Sequence, residues 1–329
     1  MELNREIRLD PLTGEAVVLS EARAGIAAPE RPLVEPDPCP FCPGNEEHTE
    51  PTIEAIVDED GVWLARAFAN RNPMLVVEKP RDVHEQGVFS YMAGLGAHEV
   101  IVESRAHHPL HEQPPEAQTN GLRLATRRLA DLSGDTRLEA VVWFRNEGRR
   151  AGASQRHPHA QVVGLPFVPA RWQQMAQRAA THHRRYGRSL LGAVLEQEHE
   201  DGRRIVMRDG PITALCPYAS QQPYEVWLVP DDPGPRFADA SDDELDALSR
   251  LLGPLARAVG QASGMPVSYN LVALGAPERN HEPGLGWHLR FLPNLIRGAG
   301  FERNTGAAVH GTFPEAAATA IRGAWDATA

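Results

Sequence analysis

Residues Asn146–Gln161, NEGRRAGASQRHPHAQ, decide the reading of this chain. Gly148 and Gly152 mark a loop, and the run Gln161–Leu165 after it reads as a buried strand. In an extended segment, residues two apart project from the same face, so His157, His159 and Gln161 line one side together. Three polar side chains on a strand face entering the core are costly unless something binds them. Ser154 adds a small hydroxyl just upstream. A lone H-x-H is about as often a pair of loop histidines as a site. The G-A-S before it and the glutamine after it turn this one into a candidate site.

Upstream, Cys39 and Cys42 form a C-x-x-C pair at the end of a Pro-rich stretch, Ala27 to Cys42, that reads as loop. Two thiolates on a tight turn chelate one Zn²⁺, which needs two further ligands. The candidates are His107 or His108, just beyond a strand ending near Glu103, and His157. A redox C-x-x-C normally opens a helix in a thioredoxin-like unit, whereas this pair sits in a loop. A third segment, Gly286 to Pro293, sets His288 and Arg290 on one strand face. Alone, such a pair is more often a satisfied structural contact than a site.

Around these segments the pattern alternates strands with helices. Strands are expected at Ile7–Leu9, Glu15–Ser20, Ile53–Ile56, Trp63–Ala67, Met74–Val77, His98–Glu103 and Leu138–Phe144. Helices are expected at Pro115–Leu132 and Ala170–Arg185. A second set follows: strands Arg204–Met207, Ile212–Cys216 and Tyr224–Val229, helix Ser241–Ala262, then strands Tyr269–Leu274 and Trp287–Leu292. Strands, a helix and strands occur twice, which points to an internal duplication: two α+β halves joined near residues 185 to 200.

Composition narrows the classes. With 33 Lys+Arg against 44 Asp+Glu, the net charge of -11 argues against a nucleic-acid binder. At 42% apolar and 23% charged residues the 329-residue chain has the balance of a globular protein, long enough for a sizeable core. No apolar run approaches the roughly 18 residues of a membrane span, and Met1 to Pro11 lacks the apolar centre of a secretory signal. A cytoplasmic location is the expectation, and the 3 cysteines cannot build a disulfide framework for a chain of this size. Lys79 is the only lysine, so anions must be met mainly by guanidinium or neutral donors.

The motifs, taken in order, resemble one family. R-x-D-P-L-T-G (Arg8 to Gly14), C-P-F-C-P-G-N-E (Cys39 to Glu46), F-x-N (Phe68 to Asn70) and E-S-x-x-H (Glu103 to His107) come first. The N-E-G-x-x-A-G-A-S-x-x-H-P-H-x-Q of Asn146 to Gln161 and the G-F-E of Gly300 to Glu302 follow. The order is that of the galactose-1-phosphate uridylyltransferase family in the histidine triad superfamily. The resemblance implies an α+β fold of two histidine-triad-like repeats, each an antiparallel sheet with packed helices, divided here as 1–190 and 191–329. It implies a nucleotidyltransferase acting on a nucleoside diphosphate sugar, foremost a UDP-glucose:hexose-1-phosphate uridylyltransferase, with ADP-glucose phosphorylase as the alternative. His159 becomes the nucleophile, assisted by Gln161 and Ser154. Cys39, Cys42, His107 and His157 become ligands of a structural Zn²⁺.

By the same resemblance Arg23, Asn70, Asn146 and Glu302 contact the substrate, and the chain pairs as a homodimer. Its partners are then a nucleotide sugar and a sugar phosphate or phosphate, without nucleic acid or membrane. The chain departs from the family at Ile26 and Arg71 and in a shortened stretch between Pro293 and Gly300. Of a second, iron-type site found in some members only His288 is kept, with Met175, Leu274 and Arg290 at the other places, so no second metal is expected.

Overall fold

The structure is a computed structural model describing residues 4–23, 37–266, 268–279 and 284–327. A hairpin, β1 (Arg5–Leu9) and β2 (Ala16–Ser20), opens the chain; β3 (Thr52–Val57) and β4 (Trp63–Ala69) follow. An exposed hairpin, β5 (Val83–Gln86) and β6 (Phe89–Met92), precedes β7 (Ala97–Val102), helix α1 (Pro115–Ser133), β8 (Ala140–Glu147) and β9 (His159–Leu165). Two helices, α2 (Ala170–Tyr186) and α3 (Leu190–Asp201), lead to β10 (Ile205–Asp209), β11 (Ile212–Leu215) and β12 (Val226–Pro230). The long helix α4 (Asp242–Ser263), β13 (Tyr269–Leu274) and β14 (His288–Pro293) come next. A short helix α5 (Gly300–Thr305), β15 (Ala308–His310) and α6 (Pro314–Asp326) complete it.

Ten strands form one antiparallel sheet in the order β10-β11-β12-β14-β13-β8-β9-β7-β4-β3. The order is a palindrome about the β13–β8 seam. Helix α1 joins β7 to β8 as α4 joins β12 to β13, so each half repeats one strand–helix–strand plan. Both helices pack on one face of the sheet, where Ile101, Ala160, Val162, Trp143, Leu271 and Leu289 share a core with Leu122, Leu129, Leu248 and Leu255. Local sequence starts these helices as expected. Pro115 occupies the first turn of α1, and Ser241 caps α4 with Glu244 in a reciprocal capping box.

The stretch 185 to 200, where the two halves are expected to join, lies between β9 and β10 and carries most of α3: Ser189 accepts from Gly192 N–H to cap that helix, and Leu191 and Leu195 bury against the sheet. One expected strand needs correction. Met74–Val77 is not a strand. Val76 makes one isolated bridge to Leu95, and the segment leads into the β5–β6 hairpin, which the sequence reading did not anticipate. The closing helix α6 also went unread; its alanine-rich face gives a weak apolar pattern, although Ile321 and Ala318 are fully buried.

Candidate active site

The site grows from pairing across β7 and β9. Val102 lies opposite His159 and Val100 opposite Gln161, while Phe68 on β4 lies opposite Val100. Opposed residues share a face, so His159 and Gln161 sit on the side of the sheet away from α1, beside a small apolar cluster of Phe68, Val100 and Val102. Phe41, between the two cysteines, packs onto that cluster and meets the His159 ring edge-on at 5.3 Å. The Cys39–Cys42 turn thereby lies over the entry to β9, while residues 27–36 of the Pro-rich stretch expected as loop lie outside the described residues.

Cys39, Cys42, His107 and His157 converge there, with one ligand atom from each lying within 4.8 Å of the others. Cys42 Sγ is 3.2 Å from His107 Nδ1 and 3.5 Å from His157 Nδ1, and Cys39 Sγ is 3.9 Å from His157 Nδ1. A tetrahedral zinc with bonds of about 2.0–2.3 Å sets its ligand atoms roughly 3.3–3.8 Å apart, so the spacing fits the ion. His157 Nε2 donates to the Ser104 carbonyl at 2.8 Å, which aims the Nδ1 lone pair at the cysteines. Burial, the largest influence, pulls the His157 pKa down to about 4, so the imidazole is neutral as a metal ligand must be. Asn45 ties the turn: its side chain donates to the Cys39 carbonyl at 2.8 Å. Between the two candidate histidines the geometry selects His107; the His108 carbonyl instead accepts from Gln113.

His159 stands two residues beyond the cluster, buried at 7% exposure. Its Nδ1 lies 2.9 Å from the His157 carbonyl. A carbonyl only accepts, so the ring proton sits on Nδ1 and Nε2 keeps its lone pair. Burial lowers the His159 pKa, and Arg145 adds to the effect. The side chain is a neutral, oriented imidazole with one nucleophilic nitrogen. Behind the sheet Arg145 and Glu103 form a 2.6 Å ion pair, both fully buried, and burial holds neighbouring Glu147 at about 7.

The other expected residues are distributed unevenly. Gln161 Oε1 is 2.8 Å from Nε2 of His98, and Asn70 Nδ2 is 3.1 Å from that same nitrogen. His98 was missed in the sequence, where it reads only as the start of a strand; its signal is alternation, two residues before Val100 on the site face. Asn146 pairs across the seam with Asn270, whose amide donates to Asn146 Oδ1 at 2.6 Å and to the Ala151 carbonyl at 2.8 Å. Ser268 Oγ accepts from Ala151 N–H at 3.2 Å, so the second half straps the glycine loop of the first. Ser154 is exposed on that loop. Glu302 accepts from Ala299 N–H at 2.8 Å, closing the start of α5. Arg23 ends a short 3-10 turn, Glu21–Arg23, and its side chain and Ile26 lie outside the described residues.

His288 and Arg290 take a different role. Arg290 forms a 2.6 Å ion pair with Glu225, which also accepts from the Trp227 indole at 2.8 Å. His288 packs on Trp227 with ring centroids 4.8 Å apart, and neither of its buried nitrogens has a hydrogen-bond partner among the described residues.

The family model for the N-terminal domain of galactose-1-phosphate uridyl transferase matches residues 1–169. An ADP-glucose phosphorylase from Arabidopsis thaliana is 27% identical, over 96% of this chain and 92% of that protein. A galactose-1-phosphate uridylyltransferase from Thermotoga maritima is also 27% identical, over 96% of this chain and 98% of that protein. Among solved structures, an ADP-glucose phosphorylase from Arabidopsis thaliana with bound ADP-glucose superimposes with a TM-score of 0.82 at 25% identity, covering 97% of this chain and 98% of that one.

Proposed function

The chain belongs to the galactose-1-phosphate uridylyltransferase family of nucleotidyltransferases, and on that premise we propose that it transfers a nucleotidyl group through a covalent bond to His159. The observation that carries this reading is the His159 ring, its Nδ1 proton committed to the His157 carbonyl and its Nε2 left unprotonated in a buried site. Nε2 attacks the α-phosphorus of a nucleoside diphosphate sugar, the bond from phosphorus to the bridging oxygen breaks, and the sugar phosphate leaves. An oxygen of the acceptor phosphate then attacks the same phosphorus, the P–N bond breaks, and the ring is restored with its Nδ1 proton in place. Charge builds on the non-bridging oxygens during both steps. Gln161 and Ser154 are the donors proposed to meet it, and Asn70, Asn146, Arg23 and Glu302 hold the remainder of the substrate.

Cys39, Cys42, His107 and His157 would hold a zinc ion, which braces the strand entry from which His159 projects. The leading donor is UDP-glucose with a hexose 1-phosphate acceptor. ADP-glucose with inorganic phosphate is the second reading, favoured by the resemblance in sequence and shape to the Arabidopsis phosphorylase. A homodimer is proposed with it, supported by the apolar hairpin that leaves Val88 93% and Phe89 74% exposed. No helix among the described residues is long and apolar enough to cross a membrane, in keeping with the proposed cytoplasmic location.

Intact-mass measurement without acid, after brief mixing with UDP-glucose or ADP-glucose, tests the reading. A uridylyl adduct cleared by galactose 1-phosphate is the expected result. An adenylyl adduct cleared by phosphate moves the assignment to the phosphorylase, and no adduct from either donor removes the covalent mechanism for these substrates.

A further inference from the structure

His98 is buried at the start of β7, and both of its ring nitrogens are engaged. Met74 donates its backbone N–H to Nδ1 at 3.2 Å. A nitrogen that accepts carries no proton, so the ring proton lies on Nε2. That proton faces Gln161 Oε1 at 2.8 Å, the acceptor within reach. The oxygen end of the Gln161 amide is thereby fixed toward His98, and its NH₂ end must turn the other way. A phosphate oxygen requires that donor end.

The same ring nitrogen sits 3.1 Å from Asn70 Nδ2. Asn70 Oδ1 already accepts from Asn72 N–H at 2.9 Å, so the Asn70 amide also presents its NH₂ on this side. Protonated, Nε2 donates to Gln161 alone, and the Asn70 NH₂ lies beside it without a hydrogen bond, both groups being donors. The device depends on where Met74 lies, and Gly96 sets that. Val76 N–H donates to the Gly94 carbonyl at 2.9 Å and Gly96 N–H to the Val76 carbonyl at 3.1 Å. A Cβ at Gly96 would stand 2.3 Å from the Gly164 carbonyl oxygen, so only glycine lets this loop close against the sheet.

We infer that His98 is a positioning residue, relaying the fixed Met74 N–H through its ring to hold Gln161 with its NH₂ group toward the transferring phosphate. The inference rests on the proposed transfer through His159. It goes beyond it by assigning the orientation of the donor to a residue that touches no reacting atom.

The test is the rate of nucleotidyl-adduct formation, followed by quench and neutral-pH mass spectrometry with whichever of UDP-glucose and ADP-glucose labels the wild type. His98→Asn keeps an acceptor near Met74 N–H but is too short to donate to Gln161. His98→Gln carries a donor to the place of Nε2. His98→Asn is expected to slow adduct formation about 10- to 100-fold with little change in nucleotide-sugar affinity or melting temperature, the range found when a supporting partner is removed. His98→Gln should restore most of the rate, and His98→Asn added to Gln161→Ala should be no slower than Gln161→Ala alone. Wild-type rate in His98→Asn, or losses that multiply in the double variant, would overturn the relay while leaving the covalent mechanism standing. An unlabelled wild type would instead overturn the parent reading and the relay with it. If His98→Asn fails to fold, the pair Gln161→Ala and His98→Gln/Gln161→Ala decides: a further loss in the double variant refutes the relay, and equal rates support it.

Discussion

Strands β9 and β14 hold mirrored places in one sheet, and each carries a histidine on the same face. The register Gln161–Phe144–Val272–Arg290 runs straight across the four central strands, so His159 and His288 project to the same side. What covers that side differs. Over β9 lies a turn of chain with Phe41, Cys39 and Cys42. Over the second half lie α2 and α3, whose Trp172, Met175, Leu191 and Leu195 bury against Trp227, Val229 and Leu274. His159 keeps one satisfied and one available nitrogen, whereas His288 is buried at 0% exposure with neither nitrogen bonded among the described residues. Duplicated topology supplies two places for a histidine; the cover decides which of them keeps a nitrogen free of the packing.

The largest expected effect separates the two histidines directly. If His159 is the nucleophile proposed, His159→Gly should abolish turnover, a loss of at least about 10⁴-fold, while nucleotide binding survives. His288→Leu should leave turnover near wild type. Steady-state kinetics on the two variants breaks the comparison if the losses are similar.

Removal of the proposed zinc should affect the first half alone. Elemental analysis is expected to find about one zinc per chain, lost in Cys39→Ser together with a fall in melting temperature and in activity. A metal-free, fully active wild type contradicts it.

Each half also buries an ion pair on its central strands, Glu103–Arg145 behind His159 and Glu225–Arg290 beside His288. Arg290→Met leaves Glu225 buried without its partner and should cost about 3–5 kcal/mol in denaturant unfolding, much of it recovered by adding Glu225→Leu. Arg145→Met should cost a similar amount and slow turnover as well, since it backs the strand of the proposed nucleophile. Equal activity in the two arginine variants erases the distinction.

Acid sensitivity sharpens it further. Burial, helped by Arg290, drives the His288 pKa down to about 3 from an ordinary value near 6.5. The unfolded chain therefore binds a proton that the folded chain refuses, and stability falls as pH drops from about 6.5 toward 3, by up to about 1.4 kcal/mol per pH unit. His288→Leu should flatten that slope in an unfolding series from pH 7 to 4. An unchanged slope rules His288 out as its source. The smallest effect expected is for Ser189→Ala, which removes the α3 cap and should cost about 1 kcal/mol with unchanged kinetics.

Much of this arrangement is legible along the chain, because local patterns record their own geometry. H-P-H-x-Q places His159 and Gln161 on one strand face with His157 just ahead of the strand, and Ser241 with Glu244 announces the start of α4. What escaped is whatever depends on a neighbour distant in sequence. His98 acquires a role only because β7 lies beside β9 and Met74 is strapped above it.

The sequence by itself determined the donor types, their spacing along β9 and the twofold run of strands and helices, since a two-residue alternation and a helical period are properties of one segment. Only the tertiary structure decided that His107 rather than His108 faces the cysteines, that Nδ1 of His159 holds the proton, and that His288 is sealed. Those outcomes depend on strand register and on which loop or helix closes over a face, contacts between residues that chain order leaves far apart.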